Sequence, residues 1–255
     1  MTQKKQKKFS RASHDSTVNE KEIRQFDALG DTWWDEDGPM RPLHRLNPVR
    51  LTYIREQITH HFGLEDRVGS LKSLNIADIG CGGGLVAEPL ARMGATVTGI
   101  DAGKENIRVA AAHAKAQGVK VEYLATSAEA VAAKGRTFDV VTALEIVEHV
   151  DNVPYFMETC CKLVRPGGLL IMSTLNRTPK SYMLGIVAAE YVLRWLPAGT
   201  HDWKKFMKPS ELAAYMTDNK LDVADVQGLV YNPLTQQFSL SASDLAVNYF
   251  IVASK

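Results

Sequence analysis

Glu145, Glu148 and His149 stand at i, i+3 and i+4, directly after the apolar run Phe138 to Leu144. On a helix that spacing puts all three side chains on one face. Two carboxylates beside an imidazole offer two kinds of chemistry. They can hold a hard divalent cation with positions left for substrate oxygens, or His149 can act as a general base that Glu148 and its neighbour tune and orient. The zinc-peptidase patterns H-E-x-x-H and H-x-x-E-H are not matched, because position 145 is glutamate. The plainer alternative is a pair of helix-capping acids and a histidine held by local hydrogen bonds. Location argues against it: the preceding run reads as a buried parallel strand, and ligands of open α/β sheets sit at the carboxyl ends of such strands.

A second constellation must border the same crevice. An apolar run from Ser73 to Ile79 ends in Gly80-Cys81-Gly82-Gly83-Gly84, and a helical pattern begins at Leu85. Glycines allow positive φ, and without Cβ atoms the backbone approaches a ligand closely, with helix N-terminal N–H groups facing it. Val97 to Asp101 then reads as a second strand ending in a carboxylate that can accept hydrogen bonds from two ribose hydroxyls. This is a nucleoside-binding βαβ unit. The dinucleotide fingerprint G-x-G-x-x-G would need a glycine where Leu85 stands. The pattern is instead Asp78-x-Gly80-x-Gly82-Gly83-Gly84, which resembles motif I of class I S-adenosylmethionine-dependent methyltransferases.

The elements that must position these residues follow along the chain. A helix is expected from Asn19 to Leu29 and another from Pro48 to His61, with Asn47 as its cap and Pro48 in its first turn. Between them Trp33-Trp34 sits in a polar, proline-bearing segment, as a lid packed on the core or a wall of the ligand site. Lys104 to Gln117 is helical and Val119 to Leu124 a third strand. Its exit carries Ser127, either a cap of the helix Ala128 to Ala133 or an adenine contact. Phe138 to Leu144 is the fourth strand, Tyr155 to Val164 a helix, Leu169 to Thr174 the fifth strand. A further helix starts at Lys208-Pro209, and Leu221 to Tyr231 and Ala246 to Ser254 close the chain as two strands joined by a hairpin. The expected fold is α/β, a doubly wound, seven-stranded, mostly parallel sheet with an antiparallel last strand.

At 255 residues, 45% hydrophobic and 23% charged, one domain with appendages is expected. A formal charge of +1 gives no global footprint for nucleic acid. Cys81, Cys160 and Cys161 form neither a disulfide framework nor a zinc spacing, which fits a reducing cytoplasm. Residues 1–18 read as a flexible basic tail, 19–255 as the domain, with a helical lid at 19–62 and an insertion at 178–208. In the insertion, Ser181 to Leu196 is apolar nearly all round, Glu190 and Arg194 can pair at i, i+4, and Trp195, Trp203, Lys204, Lys205 and Lys208 interleave aromatic and basic side chains. That composition suits a bilayer interface or a helix covering a pocket.

Five blocks together resemble the ubiquinone biosynthesis O-methyltransferase family. They are Asp78 to Gly84, Pro42-Leu43-His44-Arg45-Leu46-Asn47-Pro48-Val49-Arg50, Glu145 to Val150, Ser173-Thr174-Leu175-Asn176-Arg177 and Gly199-Thr200-His201-Asp202. The resemblance runs from about Glu22 onward. It implies cofactor contacts at Arg50, Gly80, Asp101 and Leu144, with Arg50 pairing the methionine carboxylate. Leu144 stands where methionine is often seen. It further implies S-adenosylmethionine as cofactor and magnesium at Glu145, Glu148 and His149. The substrates it implies are a polyprenylated phenol and quinol, 2-polyprenyl-6-hydroxyphenol and 3-demethylubiquinol. Peripheral contact with inner-membrane lipid and membership of a ubiquinone-biosynthesis complex are the partner expectations. A nicotinamide-dependent oxidoreductase and a non-catalytic lipid-binding scaffold are the rival readings.

Overall fold

The computed structural model describes residues 16–65, 67, 69–183 and 202–255. The tail at 1–15 and the expected helix of the insertion from Leu184 onward, with Glu190, Arg194, Trp195 and the Gly199 to His201 block, lie outside the described residues. Strands β1 (Asn75–Ile79), β2 (Thr96–Asp101), β3 (Glu122–Ala125), β4 (Phe138–Leu144), β5 (Val164–Leu175), β6 (Asp222–Asn232), β7 (Gln237–Ser241) and β8 (Asn248–Ser254) form one sheet in the order β3-β2-β1-β4-β5-β8-β6-β7. β1 to β5 pair in parallel, while β8 runs antiparallel to both β5 and β6.

Period-2 alternation decides which residues build which face. Ala77, Val141, Leu170, Met172 and Ile251 point into one core layer, packed against α5 (Ala128–Ala133), α6 (Val153–Leu163) and α8 (Pro209–Asp218). Ile76, Val140, Leu169, Ile171 and Phe250 point into the other, against α2 (Arg41–Phe62) and α3 (Ala87–Arg92). β4 is buried along its whole length, as an apolar strand covered on both faces must be. α1 (Glu20–Asp27), α4 (Lys104–Ala116) and the short α7 (Pro179–Ser181) complete the α-helices of the described residues.

Three sequence expectations are corrected. The helix expected from Pro48 begins at Arg41 and carries Pro48 inside it. Pro42 already occupies the first turn, and burial of Leu46, Tyr53, Ile54 and Ile58 offsets the roughly 3 kcal/mol an interior proline costs. Asn47 caps nothing there; its side chain donates to the Leu85 carbonyl at 2.6 Å. The closing strands are spatial neighbours, yet the tight hairpin is made by the unexpected β7, which pairs with β6 at the sheet edge. Lastly, no α-helix starts at Glu145: the chain makes a left-handed turn there, φ 52°, followed by one 3₁₀ turn at Val147–His149.

The strand order reverses between β1 and β4, so the carboxyl ends at Ile79 and Leu144 adjoin at a topological switch point.

Candidate active site

The turn after β1 is held by its neighbour strand, with Gly80 N–H and Cys81 N–H both donating to the Ile100 carbonyl. Gly80 and Gly82 take φ of 70° and 51°, where side chains are strained. A Cβ on Gly82 or Gly83 would lie 2.4 Å from the Trp33 indole, so the lid packs on the turn only because glycine is there. Asp101, at the end of β2, accepts from Gly82 N–H at 2.9 Å, Gly103 N–H at 2.7 Å and the Asn106 amide at 3.3 Å. Burial raises the Asp101 carboxyl above its usual range, against the lowering effect of these donors.

A cavity of about 630 Å³ runs past this turn and holds Arg50, Gly80, Gly82, Asp101, Ser127 and Leu144 in its wall. Ser127 also caps α5, accepting from Ala130 N–H at 3.3 Å. Arg50 projects from α2, 4% exposed, with Nη2 3.9 Å from Glu145 Oε1. Its Nε and Nη2 have no hydrogen-bond partner. A buried guanidinium with two donors unused can take a further anion in direct contact, and the α-carboxylate of an amino acid fits that need. Burial lowers its pKa while Glu145 and Asp78 raise it. Burial likewise pushes the Asp78 carboxyl up to about 6, despite the 2.7 Å bond from Thr142 and the charge of Arg50.

The tip after β4 draws its hydrogen-bond partners from three elements. Glu145 accepts from Ser173 Oγ on β5 at 2.7 Å and from Asn248 Nδ2 on β8 at 3.1 Å. Glu148, 3% exposed, accepts from Thr174 at 2.9 Å, and its Oε1 has no partner. Burial, then the charge of Glu145, push its carboxyl up to about 7, against the pull of His149. His149 shares Nδ1 with Glu22 of α1 at 3.1 Å and meets the Phe26 ring edge-on. Its own burial lowers the imidazole pKa, but the Glu22 bond and the surrounding carboxylates outweigh that and raise it.

So Glu145 and His149 reach the cavity wall, while the shared helix face is not formed. The left-handed turn sends each carboxylate to a separate donor. Among the described residues no group of three or more histidine, cysteine, aspartate or glutamate side chains is arranged to hold a metal ion. As placed, Glu145, Glu148 and His149 do not fit magnesium. Glu22, Asn106 and Asn248 join the site without a sequence signal of their own, being ordinary polar residues brought in by tertiary packing. Trp33 did carry one, its cost if exposed.

Residues 77–172 match the family model described as a methyltransferase domain. A ubiquinone biosynthesis O-methyltransferase of Methylobacterium nodulans is 52% identical over 240 residues, 94% of this chain and 96% of that one. One of Rhizobium leguminosarum bv. trifolii is 49% identical, over 94% and 95% of the two chains. Among solved structures, magnesium protoporphyrin IX methyltransferase from Synechocystis PCC 6803 with bound S-adenosylhomocysteine superposes with a TM-score of 0.59 at 17% identity, covering 91% of this chain and 98% of that one. An S-adenosylmethionine-dependent methyltransferase from Thermotoga maritima gives 0.59 at 14% identity, over 91% and 99%. These two likenesses speak to the fold alone.

Proposed function

The chain belongs to the ubiquinone biosynthesis O-methyltransferase family, and from that premise we propose that it transfers the methyl group of S-adenosylmethionine to phenolic hydroxyls of polyprenylated substrates, 2-polyprenyl-6-hydroxyphenol and 3-demethylubiquinol. The observation that carries this reading is the meeting, in one cavity, of a ribose-type carboxylate on a glycine turn, a buried arginine with unused donors, and an imidazole. When bound, S-adenosylmethionine supplies an electrophilic methyl group on a sulfonium.

Each residue has a task in that scheme. Asp101 accepts from the ribose hydroxyls, Gly80 and Gly82 let the backbone close on the ligand, Ser127 and Leu144 border the adenosyl moiety, and Arg50 pairs the amino-acid carboxylate. A phenol has a pKa near 10 and is mostly protonated at neutral pH. His149 takes that proton. Neutral imidazole that donates Nδ1–H to Glu22 carries its accepting lone pair on Nε2. Glu145 and Glu148 stabilise the imidazolium that forms. The lid at 19–62 and the sheet exclude water and keep oxygen and methyl carbon in near-attack geometry. No step is routed through magnesium, because the three candidate ligands do not fit it.

The polyprenyl tail calls for an apolar path and a route to lipid. The cavity wall includes Leu43, Leu46, Leu229, Tyr231 and Phe238. Tyr182 and Met183, at the start of the insertion at 178–208, are 47% and 57% exposed, and Lys204, Lys205 and Lys208 stand at its end. These features support a cytoplasmic protein that touches the inner-membrane surface, where other enzymes of the pathway would meet it. No helix of the described residues is long and apolar enough to cross a membrane.

The test is calorimetry with S-adenosylhomocysteine, paired with methyl transfer from labelled cofactor to a prenylated catechol. Binding and transfer are expected. A thermal response to NADH with none to S-adenosylhomocysteine would overturn the reading, and cofactor binding without transfer would leave the scaffold alternative.

A further inference from the structure

Trp33 touches the cofactor site in two ways. Its ring lies on Gly82 and Gly83, and its Nε1–H donates to Asn106 Oδ1 at 2.9 Å. Asn106 is 2% exposed, and its Nδ2 donates to Asp101 Oδ1. The orientation of this amide is fixed from both ends. Indole N–H only donates and an ionised carboxylate only accepts, so the amide oxygen must face Trp33 and the NH₂ must face Asp101. A second lid residue grips the same place: Asp27 Oδ1 accepts from Asn106 backbone N–H at 3.3 Å and lies where a Cβ on residue 103 would stand, and Gly103 N–H donates to Asp101. The Trp33 carbonyl is in turn held by His44 Nε2 at 2.9 Å.

We propose that Trp33 and Asn106 are positioning residues for the cofactor, a relay that locks the lid to the carboxylate of Asp101 and sets that carboxylate for ribose. The inference rests on the reading of Asp101 as the ribose acceptor. It follows that the cofactor binds tightly only with residues 27–33 docked, and that loss of a single indole N–H weakens binding although the indole makes no hydrogen bond to the carboxylate itself. Trp33→Phe leaves an aromatic ring on the glycine turn but strands a buried amide oxygen, a loss worth roughly tenfold in affinity. Because Trp33 acts through Asn106, removing both is no worse than removing one.

The experiment is a double-mutant cycle of Trp33→Phe and Asn106→Ala on the full chain, read by calorimetry with S-adenosylhomocysteine, with the KM for S-adenosylmethionine and kcat measured separately and folding checked by melting. Each single variant should raise Kd and KM about tenfold and leave kcat within about twofold, and the double variant should match the singles. An unchanged Kd in folded Trp33→Phe, or effects that multiply in the double variant, overturns the relay. If Trp33→Phe does not fold, Asn106→Asp carries the test, since a second carboxylate facing Asp101 must weaken binding at neutral pH and less so in acid; equal Kd at both overturns the proposal. Asp101→Ala separates the two levels. If it binds like the parent chain, the reading of the ribose site fails; if it loses binding while Trp33→Phe keeps it, only the relay fails.

Discussion

The two ends of the cavity are built by opposite means. Around Asp101 the partners are mostly backbone N–H groups, from Gly82 and Gly103, within a few residues of the strands that present them. Around Glu145, Glu148 and His149 the partners are side chains from α1, β5 and β8, and buried polar atoms are left over: Glu148 Oε1 and Asn248 Oδ1. Glu145 adds a left-handed backbone that non-glycine residues seldom adopt. The Asp101 carboxylate sits in a satisfied cradle. The end proposed to react is held under tension, with buried hydrogen-bonding capacity left unused.

The sharpest way to break this division is to cross the two ends. His149→Gln should lower kcat by about 10² to 10⁴, the usual worth of a general base, and leave the Kd for S-adenosylhomocysteine unchanged. Asp101→Ala should do the reverse, weakening binding by 10² or more, since about two hydrogen bonds to a charged group are lost. Calorimetry and steady-state kinetics on both variants decide it. A His149→Gln protein with tenfold weaker binding would mean that one unit, not two, had been built.

Glu148 gives a smaller effect with a definite sign in pH. Its carboxyl rises from an ordinary 4.5 to about 7 in the folded chain, so the folded state holds the proton more tightly than the unfolded one. The stability it contributes is complete below about 4.5 and is lost as pH rises through about 7. Glu148→Gln removes that loss. Thermal melts should give similar stabilities at pH 4.5, with the variant more stable at pH 8 by roughly 3 kcal/mol. A constant difference across that range would contradict the tension ascribed to this end.

The same contrast explains what could be seen in the residues. Glycine spacing, the strand-terminal Asp101 and the buried run of β4 depend on neighbours in sequence, and the fold follows the expectation from β1 to β5. The triplet at 145, 148 and 149 was legible as a polar cluster but not as geometry, since helical spacing carries meaning only where a helix forms, and Glu145 is left-handed with its carboxylate on Ser173 and Asn248. Glu22 gave no warning, because an acidic residue on a polar helix face resembles every other until the fold lays it on His149 127 positions away. The start expected at Pro48 lies inside the helix, which begins at Arg41 with Pro42 in its first turn.

The lid joins the two ends, for α1 meets His149 and the segment after it meets Asn106. Its hold is local and should be the easiest to loosen. Asn19 caps α1, accepting from Lys21 and Glu22 N–H at 2.9 and 3.1 Å, and its Nδ2 donates to Asp151 Oδ1 just beyond His149. Asn19→Ala removes the cap and that tether, worth about 1 kcal/mol for the helix. Hydrogen exchange should then quicken in α1 by about fivefold while β1 and β4 keep their protection, because local opening and global unfolding are separate processes. Equal quickening in β4 would show the lid to be part of the core's cooperative unit. Quickening confined to α1 would instead place the joint between cofactor and reaction in an element of eight residues that opens without disturbing the sheet.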